Sequence, residues 1–145
     1  DATAHRLAMA AMCRMAETIV ACSGRLAIAE TTAEIGAILA RGGVPVWVPL
    51  PLLDGDATLA QDWTVTSDAI AARLAELLGG APVVLLKSAD VAAGATAAQL
   101  CCDGIVDPTF PQIVARAGLD WAIFGSRDTE RFHALLQMPP ASGKS

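Results

Sequence analysis

Two spacings of apolar residues alternate along this chain. Leu7, Ala8, Ala11, Met15 and Ile19 recur every three or four positions, which predicts a helix over residues 3–20. Cys22-Ser-Gly24 ends it, with Gly24 as a left-handed cap. Arg25–Ala29 is a short apolar run that reads as a strand. A second helix is expected from Thr31 or Thr32 to about Arg41, opened by a capping box with Glu34 and stopped by Gly42-Gly43. Val44–Val48 is apolar and β-branched, so it reads as a buried strand. Pro49, Pro51 and Asp54-Gly-Asp56 predict a loop. Trp63–Ser67 leads into a third helix, capped by Ser67 or Thr66, with Asp68 in its first turn and Ile70, Leu74, Leu77 and Leu78 as its stripe.

Beyond Gly79-Gly80, Val83–Leu86 reads as the clearest buried parallel strand. Residues 91–105 read as a loop with one helical turn. Asp107-Pro108 opens a helix that runs to Ala117 and is capped by Gly118. Asp120–Phe124 is a further strand, and Gly125–Asp128 turns into a last helix through Phe132, Leu135 and Leu136. This order predicts an α/β fold: a three-layer αβα sandwich with a mostly parallel sheet and right-handed crossovers. Residues 1–138 would be one domain and 139–145 a frayed, flexible tail. Ligands bind such sheets beyond the strands' C-terminal ends, which directs attention to residues 49–53, 87–90 and 125–128.

Composition narrows the partners. The chain has 145 residues, 54% of them hydrophobic, with a mean hydropathy of +0.48. Its longest apolar stretches, residues 42–53 and 81–86, fall far short of the ~20 residues that span a bilayer. Ten basic residues face fifteen acidic ones, a net charge of −5. That balance argues against nucleic acid and anionic membranes. Four cysteines and two histidines form no zinc-ligand spacing, so a metal site is not expected. Free thiols fit a cytoplasmic protein. The apolar surplus favours a homo-oligomer.

Two clusters could carry chemistry. Thr66-Ser-Asp68 opens a helix, where free N–H groups and hydroxyls favour an anion; an ordinary helix cap explains the same residues. Lys87-Ser-Ala-Asp90 follows a buried strand, where a lysine suits phosphate and Asp90 could hold magnesium or a ribose hydroxyl. A plain surface loop is the competing explanation. His5 lies near the start of the first helix, on its polar face or lining a pocket. Gly143-Lys-Ser145 imitates the end of a phosphate-binding loop, but Met138 stands where that loop needs glycine.

Thr66–Ala75 followed by Val83–Asp90 resembles the C-terminal half of the amino acid kinase superfamily, which includes acetylglutamate, carbamate, aspartate and uridylate kinases. Gly104–Phe110 is similar to the family segment that borders the nucleotide. Ala4–Met12 and Trp63–Asp68 look like the branch that contains the aminomethylfuran phosphate kinases. The resemblance spans residues 2–136. It implies phosphoryl transfer from ATP with Mg2+ to a small acceptor, in which the protein mainly positions two anions. By motif, Asp68 and Lys87 would be catalytic. Lys87, Ser88, Asp90, Asp107 and Phe110 would meet the nucleotide, and Thr66, Ser67 and His5 the acceptor.

The family's Lys-x-Gly-Gly-Ser strand is not found here, and Gly42-Gly43 follows a helix instead of a strand. The resemblance therefore implies the C-terminal portion of such a kinase, its N-terminal part missing. The alternatives are a non-catalytic nucleotide-binding, storage or regulatory subunit, and an unrelated doubly wound binding domain.

Overall fold

The computed structural model describes residues 2–137, so the Pro139 tail and Gly143–Ser145 lie outside the described residues. Helix α1 (Ala2–Val20) leads into strand β1 (Leu26–Ala29), helix α2 (Thr32–Ala40) and strand β2 (Val44–Trp47). A one-turn helix α3 (Leu50–Leu53) precedes α4 (Ser67–Leu77) and strand β3 (Val83–Leu86). Helices α5 (Ala97–Cys102) and α6 (Phe110–Ala117) then lead to strand β4 (Trp121–Phe124) and helix α7 (Thr129–Gln137).

The fold is mixed α/β, and its strands form two parallel pairs. β1 lies beside β2 with Leu26 opposite Val44, and β3 lies beside β4 with Val83 opposite Trp121. Each pair is joined through helices, as parallel strands require. No strand joins the two pairs among the described residues.

Local chemistry explains most boundaries. Thr31 caps α2 in a full capping box with Glu34. Gly118, at φ 60°, closes α6 in the left-handed conformation that glycine adopts without penalty. Gly24 is not such a cap, because its φ is not positive; α1 ends in a plain turn. The expected loop at Pro49–Leu53 is instead a helical turn, since Pro51 sits in its first residues, where a missing N–H costs nothing. A second capping box, Thr96 with Gln99, opens α5 in the stretch expected to be mostly loop.

The main core packs α4, α6 and α5 against β3 and β4 around Val65, Ile70, Leu85, Leu100, Phe110 and Ile113. α4 meets it through Ala69, Ala72 and Ala75, while Leu77 and Leu78 at its end are exposed. Small side chains bring α4 close to its neighbours. β3 alternates, with Val83 and Leu85 buried and Val84 and Leu86 exposed, so it is covered on one face only. A smaller cluster of Ala29, Ile35 and Ile38 serves β1 and α2, and Trp47 touches both clusters.

Candidate functional site

The end of β3 and the start of α4 meet at one ion pair. Lys87 follows the last residue of β3, and its backbone N–H is fixed to the Phe124 carbonyl at 2.8 Å. Its ammonium donates to both carboxylate oxygens of Asp68, each at 2.7 Å. Asp68 is nearly enclosed, with 6% of its side chain exposed, against 21% for Lys87. An ammonium has three N–H groups, so two serve Asp68 and a third is left over.

Asp107 holds this pair from behind. One of its oxygens accepts from the N–H and hydroxyl of Thr66 and from the N–H of Ala69, each at 2.9 Å. The other accepts from the Phe110 N–H at 2.8 Å. A single buried carboxylate thus caps α4 from a distant loop and α6 from the turn just before it, where both helix dipoles favour negative charge. The Asp107 N–H in turn donates to Asp68 at 3.3 Å. Thr66 stands at the N-cap position of α4, yet its side chain makes no cap bond. Its hydroxyl is a donor to Asp107.

The loops after β3 and β4 close on each other. Gly125 packs against the Ala89–Val91 backbone so tightly that an added Cβ would lie 2.6 Å from the Ala89 carbonyl oxygen. Ser126 Oγ and the Arg127 guanidinium donate to Asp90. Those bonds, the Ser126 hydroxyl before the Arg127 charge, hold the Asp90 carboxyl below its ordinary 3.8. Asp90 is therefore engaged with the neighbouring loop, and Ser88 beside it is exposed. A cleft of ≈ 220 Å³ opens over Lys87, lined by Leu86, Phe124, Gly125, Asp128 and Phe132. It is a little below the usual range for a small-molecule pocket.

The remaining expected residues are more scattered. Ser67 is exposed at the start of α4 and borders the groove between the strand pairs. Phe110 is fully buried, edge-on to Trp121, so its ring supports the core and offers no surface to a nucleotide. His5 is not on a polar face: it is 5% exposed, with Nε2 2.8 Å from the Val65 carbonyl. A carbonyl only accepts, so Nε2 carries the proton. The ring stands edge-on to Trp63. It lines a cavity of ≈ 30 Å³ with Met9, Leu53 and Ile70, room for about one or two waters and not for a metabolite.

One network escaped the sequence. Arg73 bridges Asp56 at 2.9 Å and Glu76 at 2.7 Å, and Arg116 joins Glu76 at 2.8 Å, lacing the 54–58 turn to α4 and α6. Arg73 and Glu76 stand three apart on one helix, which was a legible signal; Asp56 and Arg116 are distant in sequence. All four cysteines are free. Among the described residues no group of three or more His, Cys, Asp and Glu side chains is placed to hold a metal ion. No described helix is long and apolar enough to cross a membrane.

No family model, curated protein or solved structure matches this chain.

Proposed function

We propose that this chain forms the nucleotide-facing part of an ATP-dependent small-molecule kinase of the amino acid kinase type. The observation that carries the reading is the Lys87–Asp68 pair at the end of a parallel strand, with Lys87 also among the residues that line an open cleft. The γ-phosphoryl group would pass to a small acceptor, such as a phosphorylated aminomethylfuran of methanofuran-type cofactor synthesis. Lys87 offers its third N–H to phosphate oxygens and neutralises charge as it develops, while Asp68 fixes the ammonium in place. Both Asp68 oxygens are occupied by Lys87, and one also by the Asp107 N–H. Mg2+ would therefore ride on the phosphates and water and not on this carboxylate.

On this reading the two strand pairs belong to one mostly parallel sheet in a three-layer αβα sandwich. The groove of ≈ 280 Å³ between Trp47, Leu74 and Val84 supports it, as does the buried Trp47 indole N–H with no partner among the described residues. A cytoplasmic setting and partners other than nucleic acid accord with the −5 charge.

One observation favours a second reading, a nucleotide-binding subunit without turnover. Lys87 is the single lysine among residues 2–137, so the described residues offer one ammonium to several phosphate charges. Calorimetric titration with Mg-ATP tests both, since each requires binding that Lys87→Met weakens. Sustained ADP formation with a small acceptor selects the kinase. Binding without turnover selects the second reading, and no binding overturns both.

A further inference from the structure

Side chains alternate along a strand, so Leu86 and Lys87 turn to opposite faces of β3. The Lys87 ammonium goes to the α4 face, where it meets Asp68. Leu86 stands in register with Phe124, whose ring is edge-on to Phe132 of α7 at 5.5 Å. Leu86, Phe124 and Phe132 all line the cleft of ≈ 220 Å³ at the strand end. Leu86 is 62% exposed, an apolar wall that the fold leaves open, and the Arg131 guanidinium lies over the Phe124 ring at 5.3 Å. One acid stands among these groups. Asp128 has 17% of its side chain exposed. One of its oxygens accepts from the Gly125 N–H at 2.9 Å and the other from Arg131 at 2.6 Å. Those bonds, the Gly125 N–H before Arg131, hold its carboxyl below 3.8, so it is ionised at neutral pH. Each carboxylate oxygen has two lone pairs, so each keeps one for a further donor.

We propose that this cleft is the nucleobase subsite of the nucleotide site, with Asp128 accepting a hydrogen bond from the 6-amino group of adenine. The inference rests on the nucleotide reading and names the part of the ligand that the cleft selects. Apolar walls and a carboxylate are a poor lining for phosphate and a good one for a flat, uncharged ring with an N–H donor on its edge. Arg131 already balances the Asp128 charge, so a cationic ligand has no advantage there over a neutral amine. The volume is below the roughly 300 Å³ at which small-molecule pockets begin, so the cleft takes one piece of a nucleotide and not the whole. The ligand therefore straddles the end of β3. Its phosphates meet the Lys87 ammonium on the α4 face, and its base lies against Leu86 and Phe132 on the α7 face.

Calorimetric titration of the full chain with two magnesium triphosphates tests the subsite: ATP, and purine riboside triphosphate, which has hydrogen in place of the 6-amino group. ATP should bind about tenfold tighter, the worth of one hydrogen bond to a charged acceptor. This comparison is made on the native chain, so it does not depend on how any variant folds. Asp128→Ala should bring the two ligands to equal affinity with unchanged circular dichroism. Lys87→Met should weaken both alike and keep their ratio. A general loosening of the loops would also weaken both alike, so the ratio isolates the contact to the base. Equal affinity of the two ligands for the native chain would overturn the subsite and leave the nucleotide reading standing. An Asp128→Ala chain that keeps the preference for ATP would do the same. No binding of either ligand would overturn both.

Discussion

The Lys87 ammonium reaches both carboxylate oxygens of Asp68 at 2.7 Å, across the gap between the end of β3 and the first turn of α4. Removing the cation leaves Asp68 enclosed and unbalanced. Lys87→Met should destabilise the fold by about 3 kcal/mol, the low end for a broken buried pair because Lys87 is partly open. It should also weaken Mg-ATP binding about tenfold or more. Asp68→Asn in the same background should return part of the stability and none of the affinity. That split between urea midpoints and titration separates a structural pair from a phosphate-binding one.

The alternation of elements and their approximate bounds were legible because apolar spacing is local. Lys87 and Asp68 were legible as single candidates from their places after a strand and at a helix start. Their union was suggested only by resemblance, and the bond itself required folding. Asp107 shows the limit more sharply. A Thr-Ser-Asp helix start reads as capped by its own hydroxyl, yet the cap comes from a residue in the loop before α6, and Thr66 turns donor to serve it. The full burial of Phe110 and the enclosure of His5 were likewise hidden, since both depend on which face the body covers.

Asp107 should therefore be among the costliest polar residues to remove. Asp107→Ala uncaps α4 and α6 together, for an expected loss of about 2–4 kcal/mol. Asp107→Asn keeps a carbonyl oxygen and should cost about half as much. Thr66→Ala removes one donor and should cost under about 1 kcal/mol. Urea unfolding of the three variants gives the order; equal costs for Asp107→Ala and Thr66→Ala would refute the double cap.

Acid should reach the fold through the Arg73 network. Burial pushes the Asp56 carboxyl up, but hydrogen bonds from Thr58 and Arg73 outweigh it and hold it below 3.8. Arg116 and Arg73 hold Glu76 below 4.5. Depressed carboxyls stabilise the fold fully above their ordinary values and lose that contribution as pH falls through the lowered ones. The thermal midpoint should stay level from neutral pH to about 5, then fall below about 4.5, with about 1 kcal/mol of the loss due to this network. Asp56→Asn with Glu76→Gln should lower stability at pH 7 and flatten the acid limb. An unchanged limb would assign it to other carboxyls.

Two glycines should respond to alanine with opposite signs, and the contrast tests how tightly the loops beside Lys87 are fixed. Gly36 sits inside α2 with nothing within 4 Å of an added Cβ, so Gly36→Ala gains helix propensity and should stabilise by about 0.5–1 kcal/mol. Gly125 is different. Its Cβ would lie 2.6 Å from the Ala89 carbonyl oxygen and 2.9 Å from the Val91 nitrogen, and backbone cannot rotate away as a side chain can. Gly125→Ala must part the two loops, strain the Asp90–Arg127 pair and widen the cleft over Lys87. The expected cost is about 1–3 kcal/mol, with a loss of Mg-ATP affinity that Gly36→Ala does not share. A Gly125→Ala chain that keeps both stability and affinity would show that the loops move freely in solution and that the cleft is not held by their contact.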